Sequence, residues 1–225
     1  MLRRGSHAGP RYGGCLLEIA GALPGGPWSD RPLAVDPMLA RMGRVINDRT
    51  SDAQRRRLLT FTPWLVGTAS IGDERVTRTL CRLSAGRLDS GADPVTDRYL
   101  TDIAKAGSFD RYRARWSRRS RASALVQRAV QAIAGPDADD LLFAFLLEAV
   151  NEVRHLEDRH PIELEARDDW PTVLPVRVEV RIPDGSESRY LHCRAETDQW
   201  PQNLQKAWCA RRQELRAAAR HVPRS

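Results

Sequence analysis

Two proline-bearing breaks, Gly135-Pro136 and His160-Pro161, isolate the longest uninterrupted helical patterns in the chain, and no other feature limits the fold as strongly. Proline removes a backbone donor and disfavours helix in the residue before it, so a helix is predicted from Phe109 to Ala134 and a second from Asp137 to Arg159. A connection that short makes them an antiparallel pair. Upstream, Leu23-Pro24-Gly25-Gly26-Pro27 ends a first helix expected over Cys15–Leu23. Met38, Leu39, Met42, Val45 and Ile46 recur at helical spacing and place a helix over Pro37–Asn47. Ser51-Asp52-Ala53-Gln54 has the form of a capping box, which starts another helix carrying Leu58, Leu59 and Phe61. Further helices are expected over 72–86 and 95–106.

Beyond Pro161 the period changes. Val176, Val178, Val180 and Ile182 share one parity while Arg177, Glu179 and Arg181 take the other, which is the pattern of a half-buried strand. Pro183-Asp184-Gly185-Ser186 supplies a turn, and Leu191, Cys193 and Ala195 alternate again. The expected fold class is therefore mainly α, a multi-helix bundle with a C-terminal β-hairpin and a final helix over 201–220, α+β in its last third. Because a lone hairpin is marginal in water, Leu204, Trp208 and Leu215 of the final helix are expected to cover it. The domain reading is a flexible leader at 1–14, rich in Gly, Arg and Pro, a helical domain at 15–160, and the hairpin with its helix at 161–225.

At 225 residues, with 41% hydrophobic and 29% charged residues, the chain can bury a core without a disulfide or metal. Cys15, Cys81, Cys193 and Cys209 form no CxxC pair and have no histidine at zinc spacing, so they read as small buried apolar residues. No apolar run reaches the roughly 20 residues of a membrane span, and no signal-peptide core is visible, which sets a cytoplasmic expectation with no membrane partner. The net charge of +7 is almost wholly arginine, Lys105 and Lys206 being the lysines.

Three constellations carry candidate chemistry. Between Phe109 and Arg128 seven arginines face one acid, Asp110; Arg111, Arg115, Arg118 and Arg119 line a helical face beside Phe109, Tyr112 and Trp116, a geometry that can follow a phosphate backbone. The segment from Asp137 to Asp169 holds eleven acids against three arginines and, folded back beside the basic helix, would neutralise it. Glu152-x-x-His155, with Glu148, has the spacing of half a di-iron site, yet no second copy exists and a polar helix stripe accounts for it. Cys15, Glu18 and His7 are the residue types of a thiol site, but a cysteine among Leu16, Leu17 and Ile19 reads as core. There is no GxSxG elbow, phosphate loop or HExxH motif, and no cofactor is implied.

Four elements in order, Cys15–Glu18 (CLxE), Trp28–Pro32 (WSDxP), Asn47-Asp48 and Val66–Thr68 (VGT), give residues 13–70 a resemblance to a family of uncharacterised helical proteins from high-GC Gram-positive bacteria and their phages. The resemblance implies a helical, bacterial, cytoplasmic protein and no mechanism, and it points to Glu18, Asp30, Asn47, Asp48 and Asp52 as the residues of a functional surface. Turns and caps explain Asp30, Ser51 and Asp52 equally well. The function expected is that of a non-catalytic, arginine-rich interaction or regulatory protein that binds another protein through the hairpin edge and the final helix, an edge that also permits self-association into a homo-oligomer. One alternative is a nucleic-acid-binding protein using the Arg111–Arg128 helix with Lys206, Arg211, Arg212, Arg216 and Arg220. The other is an enzyme with a polar site near Glu18, Asn47 and Asp48.

Overall fold

In the computed structural model, residues 2–70, 73–88, 111–164, 176–181, 190–195 and 200–220 are described. Seven α-helices follow in order: α1 (Leu16–Ala22), α2 (Pro37–Arg49), α3 (Thr62–Leu65), α4 (Asp73–Ala85), α5 (Arg111–Ala132), α6 (Ala138–His155) and α7 (Gln202–Arg220). The predicted helix over 95–106 lies outside the described residues. So do the side chains of Arg111, Arg115, Arg118 and Arg119, although their backbone is helical.

Local signals place most helix ends. Asp36 precedes Pro37 and its carboxylate accepts from the amides of Met38 (2.8 Å) and Leu39 (3.1 Å), which starts α2. Cys15 and Glu18 form a reciprocal capping box at the start of α1. Gly135 adopts φ +101° between α5 and α6, a conformation that favours glycine.

The helix expected after Ser51 is replaced by a 3-10 turn over Arg55–Phe61, followed by the single α-turn of α3. Ser51 Oγ does accept from Gln54 N (3.3 Å) as a cap would, while its hydroxyl donates to Asp139 Oδ2 (2.6 Å) and its amide to Asp139 Oδ1 (2.9 Å). Arg55, only 3% exposed, instead turns back to the end of α2, where Nε donates to Asn47 O (2.8 Å) and NH2 to Thr50 O (2.6 Å). A guanidinium on the last carbonyls of a helix meets the negative end of its dipole.

The core is one cluster. Leu16, Leu17, Leu39, Met42 and Ile46 join Phe61 and Leu65, and Leu80, Val126, Val130, Phe145, Leu146 and Val153 close it from the other side. Helices α5 and α6 each lie chiefly against α2 and α4, not against each other as the sequence predicted. Their apolar stripes, Ala122 to Val130 and Leu142 to Val153, are both covered by that shared pair of helices.

The fold class needs correction at its C-terminal end. The described structure is mainly helical and does not bear out an α+β fold with a C-terminal hairpin in the last third. The backbones of Val176–Arg181 and Tyr190–Ala195 run antiparallel in register, but the expected turn at 183–186 and every side chain of the two stretches lie outside the described residues. Of the residues expected to cover the hairpin, Leu204 (1% exposed) and Trp208 (6%) join the helical core, and α7 lies along α3.

A buried charge network fixes α7 there. Arg211 is fully buried, and its Nε donates to Val66 O (2.9 Å) while NH1 reaches Glu157 (3.1 Å) and Glu214 (2.8 Å). Arg154 makes a two-pronged pair with Glu214, both contacts 3.0 Å, and its guanidinium stacks 4.8 Å from the Trp64 ring centroid. Burial alone raises the Glu214 pKa, but the hydrogen bonds and charges of Arg154 and Arg211 outweigh it and hold the carboxyl below its ordinary 4.5. A depressed acid stabilises the fold above its unfolded value, and that stability is lost as pH falls through its folded value. Thermal unfolding should therefore show Glu214→Gln less stable than the wild type above pH 4.5, with the two converging as the pH is lowered further.

Candidate functional site

Three of the five residues singled out from the resemblance come together, and what they hold is a segment of the same chain, residues 2–7. The expected flexible leader is docked: Leu2 is 4% exposed, and Arg3 N donates to Gly14 O (2.9 Å). Asn47, fully buried in the last turn of α2, donates from Nδ2 to Arg3 O (2.8 Å) and accepts at Oδ1 from Leu16 N (3.3 Å). Asp48 is exposed and accepts from Gly5 N (2.9 Å) and from Asn47 Nδ2 (3.2 Å). Glu18, 1% exposed, accepts from His7 N at Oε1 (2.6 Å) and from Cys15 N at Oε2 (2.7 Å). His7 Nδ1 lies 2.9 Å from the same Oε2, so with Glu18 ionised Nδ1 carries the hydrogen. Trp28 Nε1 closes the set by donating to His7 O (3.1 Å).

Both oxygens of Glu18, Asn47 Oδ1 and Asp48 Oδ1 accept backbone N–H groups, which engages these side chains in holding the chain. The thiol of Cys15 is 1% exposed, and burial first, then the neighbouring Glu18 charge, pushes its pKa up to about 12. Asp30 sits elsewhere, where its carboxylate lies 3.5 Å from Arg44 NH1 and its backbone oxygen accepts from the same nitrogen (2.9 Å). Among the described residues no three His, Cys, Asp or Glu side chains are grouped as metal ligands, and Glu148 pairs with Arg87 instead of with His155.

Arg44 belongs to a second feature that the sequence did not signal, a groove of about 1030 Å³ between the loop before α2, α2 itself, α4 and α5. Pro32, Leu33, Val35 and Met38 supply apolar wall, and Ser120, Ser123 and Gln127 of α5 the opposite bank. Leu33 is 86% exposed, the highest value among the large hydrophobic side chains of the described residues. Arg31, Arg41 and Arg44 line the same groove. Desolvation lowers the Arg44 pKa; the Asp30 charge opposes it, and the weaker influences of Arg41 and Arg31 add to the lowering. Arg41 donates to Gln127 Oε1, while its buried Nε has no partner among the described residues. Of the acids of α6, Asp140 pairs with Arg57 and Glu148 with Arg87, while the side chains of Arg111, Arg115, Arg118 and Arg119 that the acidic segment was expected to neutralise lie outside the described residues. No described helix is long and apolar enough to cross a membrane.

Two outcomes check the arm geometry. In the folded protein at pH 8, iodoacetamide should alkylate the exposed Cys209 while Cys15, its thiolate fraction held to about 10⁻⁴, stays unmodified until unfolding. Hydrogen exchange should separate the two anchors, with Asp48→Ala speeding exchange at Gly5 and Glu18→Gln at His7, each by up to roughly tenfold for one lost hydrogen bond. Comparison of the chain with protein-family models, with curated proteins and with solved structures finds no match, so its own residues carry the functional reading.

Proposed function

We propose that this is a non-catalytic helical interaction protein, cytoplasmic and regulatory in character, whose groove beside α2 holds an acidic segment of another protein. The observation that carries the reading is Leu33, 86% exposed in a groove whose basic side chains are Arg31, Arg41 and Arg44. Covering a leucine contributes roughly 1.5–3 kcal/mol, and an isolated exposed leucine would need no explanation. Here it adjoins an apolar wall and three arginines lining one groove, which favours a partner that brings both an apolar side chain and negative charge. An acidic partner would bring charge-assisted acceptors to the guanidinium groups that line the groove.

A nucleic acid offers the charge without a matching apolar side chain, so the apolar wall favours protein over the alternative in which the arginine-rich helix binds a phosphate backbone. That helix does bank the groove through Ser120, Ser123 and Gln127, and an oligonucleotide would meet the same arginines. The contact surface differs from the hairpin edge and final helix expected at the outset, since α7 directs Leu204, Trp208 and Arg211 inward.

The test is recovery of partners from extract of the native host by tagged wild type, Leu33→Ser and Arg31→Glu, with and without nuclease. A protein held by wild type in both conditions and lost with either substitution supports the reading. Partners that vanish with nuclease and fall away steeply with salt transfer the groove to nucleic acid. Recovery identical for all three chains refutes it.

A further inference from the structure

The N-terminal arm is bound the way a peptide is bound. Its contacts fall on alternate residues, Arg3 through its carbonyl, Gly5 through its amide, and His7 through its amide, carbonyl and ring. Each of these partners is a side chain of the receiving surface: Asn47, Asp48, Glu18 or Trp28. Backbone-directed bonds of this kind supply affinity, and side-chain sites supply selection. Selection here comes from Leu2, which is buried in the core cluster, and from the His7 ring on Glu18. Charge agrees with it, since Arg3 and Arg4 approach a surface carrying Glu18, Asp48 and Asp52, with Arg4 Nε 3.9 Å from Asp52.

The link between arm and α1 behaves differently from its two ends. Pro10–Tyr12 is a short 3-10 turn that buries none of its residues, flanked by Gly9 and by Gly13 at φ +97°. Nothing in the turn's own packing requires the arm to belong to the same molecule. An arm with a complete set of contacts at one end and, at the other, a turn that buries none of Pro10–Tyr12 between the buried Gly9 and Gly13 meets the conditions for exchange between copies.

We propose that Glu18, Trp28, Asn47 and Asp48 form a peptide-binding site, filled in the monomer by residues 2–7 of the same chain and, in an arm-exchanged dimer, by residues 2–7 of a second copy. The contacts are identical in the two states. The intramolecular arm has the advantage of effective concentration, millimolar for a short flexible link, so exchange is set by protein concentration and by anything that loosens the arm in its own molecule.

Complementation between two full-length variants tests this. His7→Ala has an intact receiving surface and a damaged arm, whereas Glu18→Gln has an intact arm and a damaged surface. Sedimentation should show each variant alone as monomer and their equimolar mixture as a dimer, in which the good arm of one enters the good surface of the other. A labelled peptide of residues 2–9 should bind the His7→Ala chain at least about tenfold more tightly than the Glu18→Gln chain. Circular dichroism confirms that each variant is folded; should Glu18→Gln unfold, Asp48→Asn replaces it, because Asp48 is exposed and outside the core. A mixture that stays monomeric with both chains folded, or equal failure of both chains to take the peptide, overturns the proposal.

Discussion

Asn47 is the junction on which the first half of the molecule is assembled. It is fully buried, and each polar group it owns joins a different part of the chain: Oδ1 takes the amide that begins α1, Nδ2 the carbonyl of Arg3, and its backbone oxygen the guanidinium of Arg55. A buried amide left without partners costs on the order of 1–3 kcal/mol for each lost bond, so the site is stable only with all of them made. The arm, the start of α1, the end of α2 and the turn after it therefore take their relative positions from one side chain. Helix propensity cannot supply such an arrangement, because three of those contacts join segments of different origin.

Arginine serves in this chain in two distinct ways. Arg55, Arg154 and Arg211 are internal, at 3%, 4% and 0% exposure, and each is paired with carboxylates or carbonyls that satisfy its planar donor set. Arg31, Arg41 and Arg44 are gathered where the nearest described carboxylate, Asp30, faces Arg44 alone. Removing one partner of the internal kind leaves an uncompensated charge in a poorly polarisable interior, whereas the groove arginines retain access to solvent. A basic composition thus conceals a buried, paired set and a groove-lining set, and net charge does not distinguish them.

Helices whose boundaries follow from period and punctuation were legible in the sequence: α1, α2, α4, α5 and α6 begin and end within a few residues of where Pro24, Pro37, Gly86, Gly135 and Pro161 place them. Contacts among those helices were not legible, because the apolar stripes of α5 and α6 say only that each has a partner, and both find it in α2 and α4. The Ser51 motif misled since a hydroxyl that can cap a helix can equally bind Asp139, distant in sequence. Alternation over 176–195 was read as a hairpin that would organise the last third, yet Trp208 and Leu204 are taken by the helical core. Of the candidate site, Glu18, Asn47 and Asp48 were legible as residues but their occupant was not, for composition described residues 1–14 as frayed. Glycine-rich chain can be ordered entirely by side chains that belong to other segments, and no local pattern records it.

One consequence of the position of α2 has thermodynamic form. Its Met38, Arg41 and Arg44 line the groove, and its Asn47 and Asp48, one turn further on, hold the arm. A helix of this length moves as a stiff rod, so the two sites share a mechanical element. Linkage is reciprocal: whatever free energy a groove occupant exerts on the seating of α2 returns, equal in size, as an effect of arm docking on the affinity of the groove.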